Sequence, residues 1–174
     1  FRQQFDHVDV VVSNAAIGVL KPAMELTLKH WRRCVETNAL ALNSLAQNAV
    51  PLMPRGGRII ALSSLVSVRA IPHYAFMGAS KAALESLARS LAQELGHQHG
   101  IAVNVVSAGV VDTDPLKHLP NREQLLAEYG RRTPLGPTLT PQQVADAVYL
   151  LCLPEAAMIT GHTLIVDGGY CISA

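Results

Sequence analysis

Tyr74 and Lys81 stand seven residues apart in the stretch SSLVSVRAIPHYAFMGASK, which opens on the paired serines Ser63 and Ser64. Seven residues is close to two helical turns, so the two side chains share one face if a helix reaches back as far as Tyr74. A phenol beside an ammonium has its pKa lowered, and such a phenol can hand a proton to a developing oxyanion. A hydroxyl from Ser63 or Ser64 can sit on the same oxygen. The chemistry suggested is proton delivery to a reacting carbonyl. On its own the phenol has a plainer reading, a partly buried aromatic at a helix start.

The elements that must position these groups follow from pattern. An apolar strand, Arg58 to Leu62, runs out into the serines, and Ala75 to Gly96 is an Ala/Leu-rich helix ending in a Gly and a His-rich turn. Pro72 is placed to begin that helix just before Tyr74. Upstream, Val8 to Ser13 (VDVVVS) reads as a strand buried on both faces of a parallel sheet, and it stops at Asn14-Ala15-Ala16. Thr27 to Asn48 is a long helical pattern with Thr27 as N-cap; Asn38, inside it, is by itself a solvated or structural asparagine. Downstream, Ile101 to Val106 is the third strand, leading into Ser107 to Thr113. A polar, proline-rich region over 114–137 holds a short helix around Arg122 to Tyr129, and a helix opens at Thr140-Pro141 and runs to about Leu153. Thr163 to Val166 is the last strand, ending at Asp167-Gly168-Gly169. Four apolar strands alternating with helices give an α/β, Rossmann-like, doubly wound parallel sheet with helices on both faces, in one domain over residues 1–174. Ligands in such sheets sit beyond the carboxyl ends of the strands, so the loops after Ser13, Leu62, Val106 and Val166 line one site.

Composition narrows the class. The 174 residues are 49% apolar and 16% charged, and the formal net charge of +1 gives no global field for nucleic acid or an anionic membrane. No run of 18 apolar residues spans a bilayer, no signal peptide opens the chain, and no His/Cys/Asp/Glu set has metal-ligand spacing. Cys34, Cys152 and Cys171 are scattered and odd in number, which fits a reduced cytoplasm. The chain begins without Met, on what reads as the tail of a helix, and so is expected to start in mid-fold.

Together these pieces resemble the short-chain dehydrogenase/reductase family over essentially all 174 residues. Ser13-Asn14-Ala15-Ala16 looks like the family's Asn-Asn-Ala-Gly motif, and the resemblance implies that Asn14 and Ala15 hold the adenosine side of the cofactor. Asn38 matches the family's helix asparagine, implying a part in a proton relay to the lysine. Ser64 and Lys81 match the active-site serine and lysine, with Ser63, Tyr74 and Lys81 also lining the cofactor. Gly109, Val111 and Thr113 stand in the loop under the nicotinamide, where the family has Pro-Gly-x-x-x-Thr and this chain has Ala108 for proline.

Most members carry Tyr four residues before Lys, and that position here is Met77, which has no proton to give. Tyr74 instead gives Tyr-x6-Lys, the spacing of enoyl-acyl-carrier-protein reductases in the same superfamily. On a helix the longer offset moves the phenol one turn, roughly 4.5 Å, along the axis. That suits conjugate reduction, where hydride goes to the β-carbon while charge appears on the thioester oxygen. SSLVSVR and the run Val111 to Gly136 also look like enoyl-acyl-carrier-protein reductase III. The resemblance implies NADPH (NADH is the alternative), a trans-2-enoyl thioester on acyl carrier protein or coenzyme A, fatty-acid synthesis and a homodimer or homotetramer built on the helices Thr27 to Asn48 and Ala75 to Gly96. Lys117, Arg122, Arg131 and Arg132 read either as a dock for an acidic carrier or as a solvated, charge-mixed lid with Asp112, Asp114, Glu123 and Glu128. Rival readings are a ketoreductase or alcohol dehydrogenase of the same superfamily, and an inactive fragment. The family's Gly-rich phosphate turn and second strand are not in this sequence, and roughly 60–80 residues of a Rossmann half would precede Phe1.

Overall fold

The computed structural model describes residues 3–113, 122–136 and 138–173. Four strands, β1 (Val10–Ser13), β2 (Arg58–Ser64), β3 (Ala102–Ala108) and β4 (Thr163–Val166), form one sheet in the order β1-β2-β3-β4, and every pairing is parallel. The central strands are the apolar runs of the sequence, and β2 and β3 each have a paired strand on both sides. Both strands run two residues further than the apolar pattern does. Ser63 and Ser64 of β2 pair with Ser107 and Ala108 of β3, so the ladder draws polar residues into the strands.

Side chains alternate across the sheet and build two cores. Ile59, Ala61, Val103 and Val105 face α2 (Ala41–Ala49) and α3 (Ala75–His99), meeting Leu42, Ala46, Leu84, Ala88 and Leu91. Ile60 and Val106 face the other way and meet Ala147 and Leu151 of α5 (Pro141–Cys152). Helices therefore cover both faces, as expected of a doubly wound sheet. The strand order always steps in the same direction, yet the helices change face after β3. The last crossover thus has the opposite hand from the first two, although one hand strongly predominates in parallel sheets.

One expectation is corrected at the first strand. β1 is not buried on both faces: Val11 packs on the α2 side, while Val10 and Val12 are 39% and 45% exposed because α5 stops short of this strand. The long helix forms as expected from Thr27, one unbroken run of helical backbone. It runs as α1 (Leu28–Val35), a π-turn (Glu36–Leu40) and α2, with Thr27 and His30 closing a capping box at its start. α3 is stopped by Gly100 at φ 66°, three residues later than its Gly96 suggested. α4 (Arg122–Arg132) precedes α5, whose cap Thr140 accepts from Gln143 N with Pro141 at the first position.

Candidate active site

The parallel register sets Ser64, Ala108 and Val166 side by side at the carboxyl edge of the sheet. Alternation points the two serines apart. Ser63, 7% exposed, turns toward α3 and its Oγ donates to Glu85 Oε1 at 2.5 Å. Ser64 is half-buried, and its hydroxyl makes no hydrogen bond among the described residues. The expected hydroxyl on the reacting oxygen can therefore come from Ser64 but not from Ser63.

Pro72 does not start α3. It sits in a turn closed by Tyr74 N donating to Ile71 O (3.1 Å), with His73 at φ 70°, a left-handed backbone that only glycine adopts freely. Tyr74 is the N-cap of α3, and its carbonyl accepts from Gly78 N at 2.8 Å. The helix can start here because Gly78 presses against the 3-10 turn Leu65–Ser67: a Cβ at Gly78 would lie 2.5 Å from the Val66 carbonyl oxygen. Trp31 of α1 meets Phe76 edge-on at 5.3 Å and holds this end of α3 from the other side. Met77, in the position of the common tyrosine, lies against Gly18 of the loop after β1.

The expected lowering of the Tyr74 pKa is not found. Burial holds the half-buried phenol above its ordinary value, and Lys81 does not offset this. The lysine is occupied elsewhere: its ammonium, 3% exposed, donates to Leu62 O at 2.6 Å. Burial pulls Lys81 from 10.5 down to about 8, against the opposing pull of the Glu85 carboxylate. A buried ammonium has three donors, and this one uses a single N–H among the described residues. Two donors remain for vicinal hydroxyls such as those of a nicotinamide ribose, so the residues present fit that half of the cofactor.

Asn38 lies in the π-turn and is 1% exposed. Its Oδ1 accepts from Ile17 N (2.8 Å), while Nδ2 donates to Ile17 O (2.9 Å) and to Ser80 Oγ (2.8 Å). Ser80 Oγ in turn donates to Met77 O. The Asn38 amide thus ties the loop after β1 to the helix of Lys81, and its polar atoms are taken up by that task. A π-turn at such a place is a recurrent companion of functional sites. Asn14 and Ala15 are exposed on that loop.

Gly109 follows β3 where space is short: a Cβ would collide with Tyr129 Oη and lie 3.0 Å from the Asp167 Cβ. Val111 pairs in a parallel bridge with Leu139. Tyr129 was not singled out by sequence reasoning. It is 2% exposed, stacks on Tyr170 at 4.5 Å and donates to Asp167 O at 2.9 Å. Burial pushes the Asp167 carboxyl up, but the Cys171 thiol, the backbone N–H groups of Gly169 and Cys171, and Arg69 hold it below its usual range. Of the basic residues near the mouth, Arg122 pairs with Asp112 and Arg131 with Glu128, both at 2.9 Å. Arg132 lies 5.0 Å from the Tyr170 ring centre. Lys117 and Asp114 lie outside the described residues. No metal-binding cluster and no helix long and apolar enough to cross a membrane occur among the described residues.

A parallel sheet with a buried lysine one strand-end from an open serine defines a class, and comparison with known proteins agrees with it. Residues 1–171 match the family described as Enoyl-(Acyl carrier protein) reductase. The chain belongs to the short-chain dehydrogenase/reductase family of NAD(P)H-dependent oxidoreductases. It is 42% identical over 174 residues to 1-cyclohexenylcarbonyl-CoA reductase of Streptomyces collinus, covering 99% of this chain and 62% of that protein. A 3-oxoacyl-acyl-carrier-protein reductase of Chlamydia muridarum is 32% identical, with 97% of this chain and 68% of that protein covered. The enoyl-acyl-carrier-protein reductase (NADH) structure from Aquifex aeolicus VF5 superimposes with a TM-score of 0.91 at 30% identity, covering 99% of this chain and 69% of that one. The chain thus spans about three fifths to two thirds of the length of these relatives.

Proposed function

We propose that this chain carries the nicotinamide and substrate side of a reductase acting on the C=C bond of trans-2-enoyl thioesters. The observation that carries the reading is at the start of α3. Met77 occupies the position four before Lys81, and the phenol available to the site is Tyr74 at the N-cap, one turn further from the lysine. A bound reduced nicotinamide supplies the hydride to the β-carbon. Lys81, fixed to Leu62 O, holds the ribose hydroxyls with its remaining N–H groups. Tyr74, kept protonated by burial, donates its hydrogen bond to the thioester oxygen as negative charge gathers there, and it or relayed solvent returns the proton. Ser64 adds a second donor. Ser63 meets the cofactor only through its backbone, since its hydroxyl is held by Glu85. Asn38 acts by positioning, and Asn14, Ala15, Gly109, Val111 and Thr113 line the rest of the cofactor site.

Coenzyme A and acyl carrier protein are the two carriers this reading admits, and the relative from Streptomyces is named for a CoA substrate. The ion pairs of Arg122 and Arg131 favour the charge-mixed lid over an open basic dock. We take NADPH as the cofactor, fatty-acid synthesis as the setting, the cytoplasm as the location, and a homodimer or homotetramer as the assembly. Leu40 and Leu45, 53% and 40% exposed along the π-turn and α2, support pairing of helices between copies. Carbonyl reduction is the second reading, favoured by the open Ser64 hydroxyl and by the Chlamydia relative. Nicotinamide oxidation followed by absorbance with crotonyl-CoA, longer 2-enoyl thioesters and 3-oxoacyl thioesters, comparing NADPH with NADH, separates them. Turnover that needs the C=C substrate and disappears in Tyr74→Phe supports the proposal, and turnover unchanged in that variant overturns it.

A further inference from the structure

Glu85 is a carboxylate inside the fold, 7% exposed on the buried face of α3. It stands one helical turn beyond Lys81, which is 3% exposed. The two charges are not in direct contact, because each is held by a different atom at the end of β2. Lys81 Nζ donates to Leu62 O at 2.6 Å, and Ser63 Oγ, one residue on, donates to Glu85 Oε1 at 2.5 Å. The result is a closed ring: strand carbonyl, ammonium, one turn of helix, carboxylate, strand hydroxyl. A lone buried charge of either sign is costly, whereas two opposite charges fixed by polar partners on one strand offset each other.

We propose that Glu85, clamped by Ser63, is a positioning residue for the reaction: it is the counter-charge that keeps the Lys81 ammonium charged and seated on Leu62 O. This rests on the reading of Lys81 as the residue that holds the ribose. Other charges do not substitute for it. Arg58 stands at the opposite end of β2, β3 and the turn Leu65–Ser67 bring no ionisable side chain, Glu36 of the π-turn is exposed, and α1 presents Arg32 and Arg33 to solvent. His30 of α1 is tied to Thr27 N, and Tyr74 on the same helix carries no charge at neutral pH because burial holds its phenol up.

The test labels the chain with lysine enriched in carbon-13 at Cε and follows the Lys81 resonance by NMR from pH 6 to 11, assigned by its loss in Lys81→Arg. The unsubstituted chain is expected to titrate near 8. Glu85→Gln moves the midpoint to lower pH, and Ser63→Ala, which frees the carboxylate to swing away, moves it the same way by less. Glu85→Asp restores part of the shift, which a role in packing alone would not produce. A midpoint unchanged or raised in folded Glu85→Gln overturns the proposal. If that variant does not fold, an unchanged midpoint in Ser63→Ala overturns it instead. The readout needs no turnover, so an absence of enoyl reduction with the coupling intact would count against the function and not against the pair.

Discussion

Replacing Lys81 by Met should abolish a rise in stability with pH that the buried ammonium gives the fold. Lys81 is almost wholly buried, and its pKa falls from 10.5 in the open chain to about 8 in the fold. Below pH 8 both states carry the proton and the fold bears the full penalty. Between 8 and 10.5 the unfolded chain holds a proton that the folded one has shed, so stability rises with pH across this window. The gap corresponds to about 3 kcal/mol. Lys81→Met removes the penalty but orphans Leu62 O, which costs about 1–3 kcal/mol, and leaves the buried Glu85 carboxylate without its counter-charge, so the absolute change at pH 7 is a net of opposing effects. The slope is the diagnostic quantity. Urea melts at pH 7, 8, 9 and 10, followed by the fluorescence of Trp31 where α1 meets α3, should show the unsubstituted protein gaining on the variant by about 2–3 kcal/mol as pH rises. Tyrosines and cysteines titrate in both proteins and cancel in the difference. Parallel pH dependences would refute the reasoning.

Tyr74→Phe should lower turnover by roughly 10²–10⁴-fold, the worth of a general acid, while thermal stability changes little because the phenol makes no hydrogen bond among the described residues. Asn38→Ala should destabilise by about 2–4 kcal/mol, since it strips partners from both polar groups of Ile17 and from Ser80; hydrogen exchange at the Ile17 amide should accelerate more than at β3 amides. Gly78→Ala should cost about 1–3 kcal/mol through the clash with Val66 O, read as a lower melting temperature.

The central sheet was legible because β2 and β3 are largely apolar where both faces are covered, the buried Asn104 apart, and α3 because its small and apolar residues recur at helical spacing. What escaped the sequence was set by partners distant along the chain. The π-turn exists where Asn38 reaches Ile17 and Ser80, 21 and 42 residues away, and no local pattern encodes that. Pro72 suits both the first turn of a helix and the second position of a β-turn, and the positive φ of His73 decided for the turn against its own residue type. Tyr-x6-Lys spacing said nothing of what each head group bonds: Tyr74 became the N-cap of α3, and Leu62 O claimed the ammonium. Glu85 four residues after Lys81 reads as an ordinary surface ion pair; only the fold shows both inside. Gly78 and Gly109 carried a readable signal, since a glycine inside a helix or just past a strand end often marks a close approach.

Deuterium from a reduced cofactor labelled at the transferable position of the nicotinamide, traced into product from an equimolar mixture of 2-enoyl and 3-oxoacyl thioesters, tests the central claim most directly. Conjugate reduction guided by Tyr74 predicts the label on the β-carbon of a saturated acyl thioester, with the 3-oxo compound recovered intact. Label on the carbinol carbon of a 3-hydroxyacyl thioester, with the enoyl substrate untouched, would contradict it.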